Sequence, residues 1–444
     1  MAILSPLRRS SRRSDDEDPL GGGVDGGTAG GVAGSSVARA RSSARSWYAL
    51  LHDALSRPLT AYYLLLGASA LLLTIGLIMV FSASSVYAFQ HYDHNSYAVV
   101  VKQLIWVAIG LPCAWVAGRL PQRWVRRLAW PGYFVSLVLL VLTAFLGVSR
   151  NGNTNWLAYG PFQIQPSEIA KLALVLWAAH VYANKERRLG NLHQVMMPVV
   201  PGMLVATGLV IFGKDLGTAL ILFAILLGML WVVGAPARVF ALSFLVVSVF
   251  ASALAATDPE RLTRITTFTD PMREYNSAGW QPAHGLFALS QGGLFGQGIG
   301  ASQQKWGNLP EAHTDYIFAV LGEELGLVGT LLVIGLFLTI AYAAIRVARQ
   351  TKDPFVRYMS FGIVVWIVGQ MMINVGMVLA LLPVIGIPLP LVSYGGSALV
   401  PSLVALGMLV GFARREPEAA RARAQRRKAR NSGVSAGRVD GTAL

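Results

Sequence analysis

Cysteine and charge are scarce in this chain of 444 residues. Its one cysteine, Cys113, lies within an apolar run, which excludes an intrachain disulfide and a cysteine-rich metal site. Charged residues make up only 13% of the chain, roughly half of their share in soluble domains, whereas apolar residues make up 54%. These proportions exclude an ordinary soluble enzyme and indicate a membrane protein.

Acidic residues are also few, since 22 Asp and Glu stand against 37 Lys and Arg. The basic residues form short clusters between apolar runs and in both tails, not a basic domain with interleaved aromatic residues, so the sequence predicts no nucleic-acid partner. Residues 1–57 are rich in Arg, Ser and Gly and predict a disordered cytoplasmic tail. Residues 414–444 predict a second, basic tail suited to anionic lipid headgroups.

Long apolar runs, in contrast, are abundant. Ten of them reach the length needed to cross about 30 Å of hydrocarbon, so the sequence predicts an all-α polytopic membrane protein with ten transmembrane helices. The predicted spans cover residues 60–84, 98–118, 131–147, 166–183, 196–212, 214–233, 239–256, 315–345, 358–381 and 393–412.

The basic residues that flank these spans predict their orientation. If the N-terminus is inside, 29 of the 37 Lys and Arg residues fall on the inner side, so both tails are predicted to be cytoplasmic. The transmembrane domain, residues 58–413, then carries one large extracytoplasmic loop between the seventh and eighth spans. This loop covers about residues 257–314 and is long enough to predict a function of its own.

Ionisable residues of the predicted spans concentrate at their outer ends. Because such a side chain at mid-bilayer costs about 2.5–3.5 kcal/mol, each one is a functional candidate. Glu168 and Lys171 are spaced i,i+3 in the fourth span, which places opposite charges on one helical face. The other residues at this level are Lys102, Asp215, Glu323 and Glu324. The sequence therefore predicts a polar site that faces outward.

Two further segments lie near this level. Residues 381–397, "LLPVIGIPLPLVSYGGS", contain three prolines and predict an irregular segment that lines a cavity, the alternative being an ordinary turn. "PEAHTD" supplies Glu311, His313 and Asp315, which suit a divalent cation such as Mg²⁺ or Mn²⁺, although a helix cap explains them equally well. Residues 279–298 predict a short amphipathic or re-entrant helix at the membrane surface.

Four long motifs together resemble the SEDS family (shape, elongation, division and sporulation), which includes FtsW and RodA, and the division type more than the elongation type. The motifs are "NGNTNWLAYGPFQIQPSEIAKLAL", "DLGTAL", "SQGGLFGQGIGASQQKWGNLPEAHTDYIFAVLGEELGLVG" and "LLPVIGIPLPLVSYGGS". The resemblance implies a ten-helix peptidoglycan glycosyltransferase that polymerises lipid II at the outer face of the cytoplasmic membrane. It also implies a class B penicillin-binding protein and other division proteins as partners.

One loop motif departs from the family pattern. Where the family has N-P-x-x-D-P-x-x-x-G-Y-Q, this chain reads "DPMREYNSAGWQ", so the expected catalytic Asp falls on Glu274, and Asp270 stands at the usual Asn. Register favours Glu274 as the catalytic base, with Asp270 as the alternative. Another departure leaves His284 as an extra titratable group, which we expect at the surface.

The resemblance implies a single inverting displacement, which needs a base for the acceptor hydroxyl and positive charge for the departing pyrophosphate. The predicted substrate-binding residues are Lys102, Glu168, Lys171, Asp215, Arg264, Gln281, His313, Asp315, Ser393, Gly395 and Gly396. No metal ligand is assigned among them. Two alternatives stay open at this point, a lipid II flippase and a scaffold that recruits the crosslinking enzyme.

Overall fold

The computed structural model describes residues 59–150, 153–159, 162–256, 268, 270–277, 279–416 and 421. These residues form thirteen α-helices. Their bounds are α1 Thr60–His91, α2 Ala98–Arg119, α3 Gln122–Arg127, α4 Ala129–Leu146, α5 Pro166–Lys185, α6 Leu192–Met196, α7 Val199–Phe212, α8 Leu216–Val233, α9 Ala237–Ala256, α10 Trp280–Gly292, α11 Ile317–Gln350, α12 Pro354–Val378 and α13 Gly396–Arg415. Single 3₁₀ turns cover Glu186–Arg188 and Gln304–Trp306.

The helices confirm a polytopic, helical membrane protein. Eight segments of the described chain are long and apolar enough to cross a membrane: α1, α2, α4, α6 with α7, α8, α11, α12 and α13. The other two predicted spans are helices as well, α5 and α9, each 20 residues long. α5 carries the charged pair Glu168 and Lys171, and the described apolar part of α9 ends at Val246. The count of ten spans therefore stays a prediction.

A small antiparallel sheet between α4 and α5 was not predicted. Its strands β1 Val148–Arg150, β2 Asn153–Tyr159 and β3 Phe162–Ile164 follow one another in the order β1-β2-β3. The N–H of Thr154 on β2 also donates to the carbonyl of Gly213, at 3.0 Å. Two of the three strands have only three residues, too few for an alternating pattern to be recognised in a sequence. β2 lies against α4 and α5, and its bond to Gly213 connects it to the end of α7.

The turn between α7 and α8 is tight. Only Gly213, Lys214 and Asp215 separate the two helices, and Lys214 adopts a left-handed conformation with φ of 62°. The backbone N–H of Lys214 donates to the carbonyl of Ile211 at 2.8 Å. Asp215 then begins α8 as its N-cap, because its side chain accepts from the backbone N–H of Thr218.

Glycines allow α2 and α13 to cross at backbone contact. A Cβ atom on Gly407 would lie 2.2 Å from the carbonyl oxygen of Ala114, and one on Gly411 would lie 2.4 Å from that of Gly118. Both helices thus present small residues four positions apart, which is the pattern that lets membrane helices approach most closely. No side chain larger than hydrogen fits at either glycine without moving the helices apart.

We expect Gly407→Leu to destabilise the protein by at least about 1–3 kcal/mol, because backbone atoms cannot turn away as a side chain can. Gly369→Ala on α12 is the matched control, since a Cβ there meets nothing within 4 Å. The free energy of unfolding in a defined detergent checks this. Equal stability of the two variants would contradict the close α2–α13 contact.

α11 is interrupted near its start, where Gly326 has φ of 67°. The loop after α10 enters this break and exchanges backbone hydrogen bonds with it. The N–H groups of Leu327 and Val328 donate to the carbonyls of Gly293 and Leu294, at 2.9 and 3.1 Å. In return, the carbonyls of Glu323 and Glu324 accept from Gln297 and Gly298, at 2.9 and 3.0 Å. The break therefore leaves these four backbone groups of the helix satisfied.

Candidate functional site

The irregular segment 379–394 and the "HTD" motif form one junction at the predicted outer side. The Ser393 hydroxyl donates to the Thr314 carbonyl at 2.6 Å and accepts from the N–H of Leu389 at 2.8 Å. The N–H of Tyr394 donates to the carbonyl of His313 at 2.9 Å. These bonds satisfy backbone groups that the prolines and the lack of helix would otherwise leave unpaired. The segment is thus a fixed, protein-supported wall.

Asn374 of α12 supports the same junction through its side chain. Its side-chain amide donates to the carbonyls of Asp315 and Ile387, each at 2.7 Å. One turn earlier on α12, Gln370 donates to the carbonyl of Pro388 at 2.8 Å. The predicted irregular shape of the segment is confirmed, and two amide side chains of α12 hold it in place.

Glu168 and Lys171 form the buried ion pair that their spacing predicts. The Nζ of Lys171 lies 2.7 Å from Oε1 of Glu168, and the two side chains are 1% and 2% exposed. The same ammonium donates to Oε1 of Gln370 at 3.0 Å and lies 5.7 Å from the ring centroid of Trp366. Gln370 therefore links the ion pair to the wall segment at Pro388.

Asp215 is held by its own helix and by the sheet region. Its Oδ1 accepts from the N–H of Thr218 at 2.9 Å, and its Oδ2 accepts from the Thr218 hydroxyl at 2.9 Å. The side-chain amides of Asn155 and Gln165 donate to Oδ2 as well, both at 3.0 Å. These four bonds explain how a buried carboxylate is accommodated there. The bonds give Asp215 a structural role. Its contact with substrate stays a prediction.

Asp315 precedes the first residue of α11, which begins two residues later than the predicted span. Burial raises the pKa of its carboxyl to about 7, and the negative charges of Glu311 and Asp215 contribute to the rise. A Cβ on Gly386 of the wall segment would lie 3.3 Å from Oδ2 of Asp315. The carboxyl of the "HTD" motif thus faces the wall at Gly386 and is set to titrate near neutral pH.

Asp315→Asn should stabilise the protein at about pH 8 and have little such effect near pH 3, where the carboxyl is largely protonated in both the folded and the unfolded state. As pH rises from about 4 to 7, the unfolded chain releases this proton while the folded protein retains it, so stability falls and then stays low above about pH 7. Thermal unfolding of both proteins across this range checks it. We expect a gain of several degrees at the alkaline end only.

Two narrow clefts lie beside these groups. One encloses about 220 Å³, counting space open to solvent, and is lined by Gln370, Pro388, Ser393 and Gly395 among others. The irregular segment therefore borders a small cleft. The other encloses about 240 Å³ on the same basis, between α4, α5 and α7, with Asp215 in its lining.

Glu274 and Asp270 both lie exposed on a compact turn. The Glu274 carbonyl accepts from the N–H groups of Ser277 and Gly279, at 2.9 and 3.0 Å. Its carboxylate accepts only a hydroxyl bond among the described contacts, from Ser277 at 3.0 Å. A Cβ on Gly279 would lie 2.1 Å from the Pro271 carbonyl oxygen, so the turn closes on itself only with glycine there.

His284 lies in the protein interior, so its expected surface position is wrong. It is 6% exposed, and its ring nitrogens pair with the Tyr275 hydroxyl at 3.1 Å and with Oε1 of Gln304 at 2.7 Å. The ring packs against Trp280, with centroids 4.2 Å apart. This cluster ties the turn that carries Glu274 to α10. Gln281 adds a bond from its amide to the Pro310 carbonyl, at 3.1 Å.

A second buried ion pair was not predicted. The Nζ of Lys305 lies 3.1 Å from Oε1 of Glu324 and also donates to the Ser82 hydroxyl at 3.0 Å. Glu323 beside it accepts from the Ser302 hydroxyl at 2.5 Å. The adjacent acids Glu323 and Glu324, near the start of a predicted apolar span, did indicate a polar site at this position. Their partners lie on α1 and in the loop, and sequence spacing gives no indication of such long-range contacts.

Several predicted residues stand apart from this arrangement. Lys102 is exposed and lies 4.2 Å from the ring centroid of Tyr92, whereas its neighbour Gln103 donates to the wall at the Ser393 carbonyl. Arg264 lies outside the described residues. Gly396 begins α13, where a Cβ would lie 1.9 Å from the Trp106 ring, so its part is close packing. Gly395, in contrast, belongs to the wall, and its backbone N–H donates to Oε1 of Gln103 at 3.4 Å.

The "PEAHTD" motif does not gather ligands for a cation. Glu311 accepts from the Thr314 hydroxyl at 2.6 Å, and His313 stacks between the rings of Tyr87 and Tyr394, at 4.8 and 5.7 Å between centroids. Within the part of the chain that the structure describes, no group of three or more His, Cys, Asp or Glu is placed to hold a metal ion.

Known proteins resemble this chain over most of its length. Residues 62–418 match the family profile of FtsW, RodA and SpoVE, described as "Cell cycle protein". A Mycobacterium tuberculosis protein named "Probable peptidoglycan glycosyltransferase FtsW" is 39% identical over 86% of this chain and 72% of its own length. Stage V sporulation protein E of Bacillus subtilis is 36% identical over 79% of this chain and 96% of its own length.

Solved structures show the same fold. The rod shape determining protein RodA of Thermus thermophilus superposes with a TM-score of 0.59 at 28% identity, over 80% of this chain and 97% of that one. A chain from a study of polymerization and crosslinking by a peptidoglycan synthase complex superposes with a TM-score of 0.65 at 26% identity, again over 80% and 97%. The chain belongs to the FtsW, RodA and SpoVE family of cell cycle proteins.

Proposed function

We propose that this protein is a peptidoglycan glycosyltransferase that polymerises lipid II into β-1,4-linked glycan strands, in septal cell division. Two kinds of observation support the activity. The FtsW relatives bear the name of this activity and match most of the chain. The buried ion pairs and the irregular wall lie together at one end of the helices, the end at which a lipid-linked sugar would present its headgroup on the predicted outer face.

The observation that carries the proposal is the wall and its polar support. Gln370 bonds both to the wall at Pro388 and to Lys171, so one side chain joins the cleft to a buried ammonium. An ammonium near the cleft suits a departing pyrophosphate, because positive charge stabilises the leaving group. Glu168 orients that ammonium at 2.7 Å. Asp315, Ser393 and Gly395 would contact the sugar or its pyrophosphate from the wall side.

Glu274 is the base in this proposal, with Asp270 as the alternative. The donor sugar is α-linked and the polymer β-linked, so one displacement inverts the anomeric carbon and requires a base at the acceptor hydroxyl. The exposed carboxylate of Glu274 stands on a turn fixed by Tyr275 and Gly279. This fixed turn supports the role, because a base must be positioned closely to act.

The proposed setting is the bacterial cytoplasmic membrane at the division septum, with both tails in the cytoplasm. The proposed partner is a class B penicillin-binding protein that crosslinks the new strands, together with other division proteins. The study of a peptidoglycan synthase complex, in which polymerization and crosslinking are coordinated, supports such a pairing. A flippase would need a polar path to the inner side, whereas both buried ion pairs of the described helices lie at the predicted outer end.

The test is polymerisation of labelled lipid II by the purified protein, alone and with a crosslinking partner synthase, with glycan length read on gels. We expect polymer at least in the reaction that contains the partner synthase. Each reaction is run with and without added Mg²⁺ or Mn²⁺, and the amounts of polymer are compared. Transfer of lipid II between leaflets without polymer would favour a flippase instead. Neither polymer nor transfer would favour a scaffold.

A further inference from the structure

An exposed apolar tip follows α10 in the described loop. Leu294, Phe295 and Ile299 are 62%, 81% and 63% exposed, although large apolar side chains are costly in water. Residues 275–304 contain no Asp, Glu, Lys or Arg, so the tip itself carries no charge. The nearby ammonium of Lys305 donates to the Gly300 carbonyl at 2.7 Å and is buried. A solvated loop would not place three large apolar side chains outward in an uncharged stretch.

The backbone of the tip meets the condition for entering hydrocarbon. Segment 293–298 sits in the break of α11 and exchanges four hydrogen bonds with it, two in each direction. Gly296 is required there, because a Cβ would lie 2.2 Å from the carbonyl oxygen of Glu324. Non-helical backbone is tolerated at membrane depth only where protein satisfies its polar groups. The break in α11 does so for much of the tip.

The tip is continuous with the exposed apolar face of a membrane span. Its carbonyls bond to Leu327 and Val328 of α11, which are 49% and 54% exposed. One turn further along, Leu331 and Leu332 are 57% and 52% exposed. Val328 lies about 27 Å along the helix from Arg346 at 1.5 Å per residue, close to the full hydrocarbon thickness of about 30 Å. The tip is therefore level with the outer edge of the hydrocarbon.

We infer that Leu294, Phe295 and Ile299 insert into the outer leaflet and anchor this loop to the bilayer. The occupant of the apolar tip is lipid acyl chain, because the tip extends a lipid-facing span and carries no charge that would select a protein surface. The anchor holds the loop at a constant depth relative to the bilayer. The same loop carries Lys305, which binds its buried partners on α1 and α11.

A nitroxide at Phe295→Cys tests the inference, in the full chain with Cys113→Ser to remove the exposed native thiol. The protein is placed in nanodiscs, and collision rates of the label with oxygen and with a water-soluble nickel chelate are measured. We expect a severalfold higher ratio of oxygen to nickel collisions than at Met272→Cys, a control position that is also exposed, at 45%. Leu294→Cys and Ile299→Cys should follow Phe295→Cys.

Nickel access at Phe295→Cys equal to that at Met272→Cys would overturn the inference, because the tip would then lie in water. A label shielded from both reagents would also overturn it, since protein and not lipid would cover the tip. The three tip positions are exposed, so labelling them leaves the core intact. Size-exclusion chromatography first shows that each variant elutes at the same volume as the wild type.

Discussion

Glu274→Ala is expected to lower the rate of glycan polymerisation by about 10²–10⁴-fold, which is the usual contribution of a general base. The variant removes the carboxylate but leaves the turn, because the bonds that shape it come from the backbone carbonyl of Glu274. The measurement is initial rate with labelled lipid II in the presence of a partner synthase. Binding of lipid II should change little, since the base acts in the transition state.

The controls separate the base from its neighbours. Asp270→Ala should retain most of the activity if Glu274 is the base, and the reverse pattern would transfer the role to Asp270. Glu274→Asp should recover part of the rate, because it returns a carboxylate with one methylene less reach. Met272→Ala, on the same turn and exposed, serves as the matched control. Full activity in both acid variants would refute a carboxylate base on this turn.

Lys171→Met is expected to destabilise the protein by about 3–5 kcal/mol, the cost of leaving one partner of a buried ion pair uncompensated. Glu168 is 2% exposed in the pair, so water cannot replace the ammonium at that position. Gln370 would also lose a donor at 3.0 Å, which should loosen the wall at Pro388. The free energy of unfolding in detergent is the measurement.

Removing both charges should recover much of that loss. In Glu168→Gln with Lys171→Met no buried charge is left unpaired, and such replacements are often nearly neutral. Lys102→Met is the matched control, because this lysine is exposed and pairs only with the Tyr92 ring among the described contacts. If the double variant were as unstable as Lys171→Met, shape and not charge would explain the loss.

The parts of the site that sequence reasoning found share local geometry. Glu168 and Lys171 were paired correctly because three residues of helix bring their side chains to one face. The irregular wall was found because prolines remove the donors that a helix needs. Each of these conclusions depends on residues within one short segment, whose chemistry can be worked out without knowing the fold.

The parts that were missed depend on distant residues. Lys305 meets Ser82 across 223 positions, and no spacing rule anticipates that contact. His284 was expected at the surface but is enclosed by Tyr275 and Gln304, whose approach requires the loop to fold back on α10. The amides of Asn155 and Gln165 reach Asp215 through the small sheet region, and this contact across 50 or more positions could not be read from the sequence either.

The sequence by itself determined that this is a helical membrane protein with polar groups gathered at one side, because hydrocarbon excludes unpaired charge and unpaired backbone wherever they occur. Only the tertiary structure decided which polar groups meet. Hydrophobic length and basic flanks act on each span separately, whereas the ion pairs, the wall and the break in α11 require atoms from several spans at hydrogen-bond distance. Packing sets that distance, and it depends on glycines such as Gly407 and Gly326. The close contacts of these glycines with other segments cannot be read from the sequence of one span.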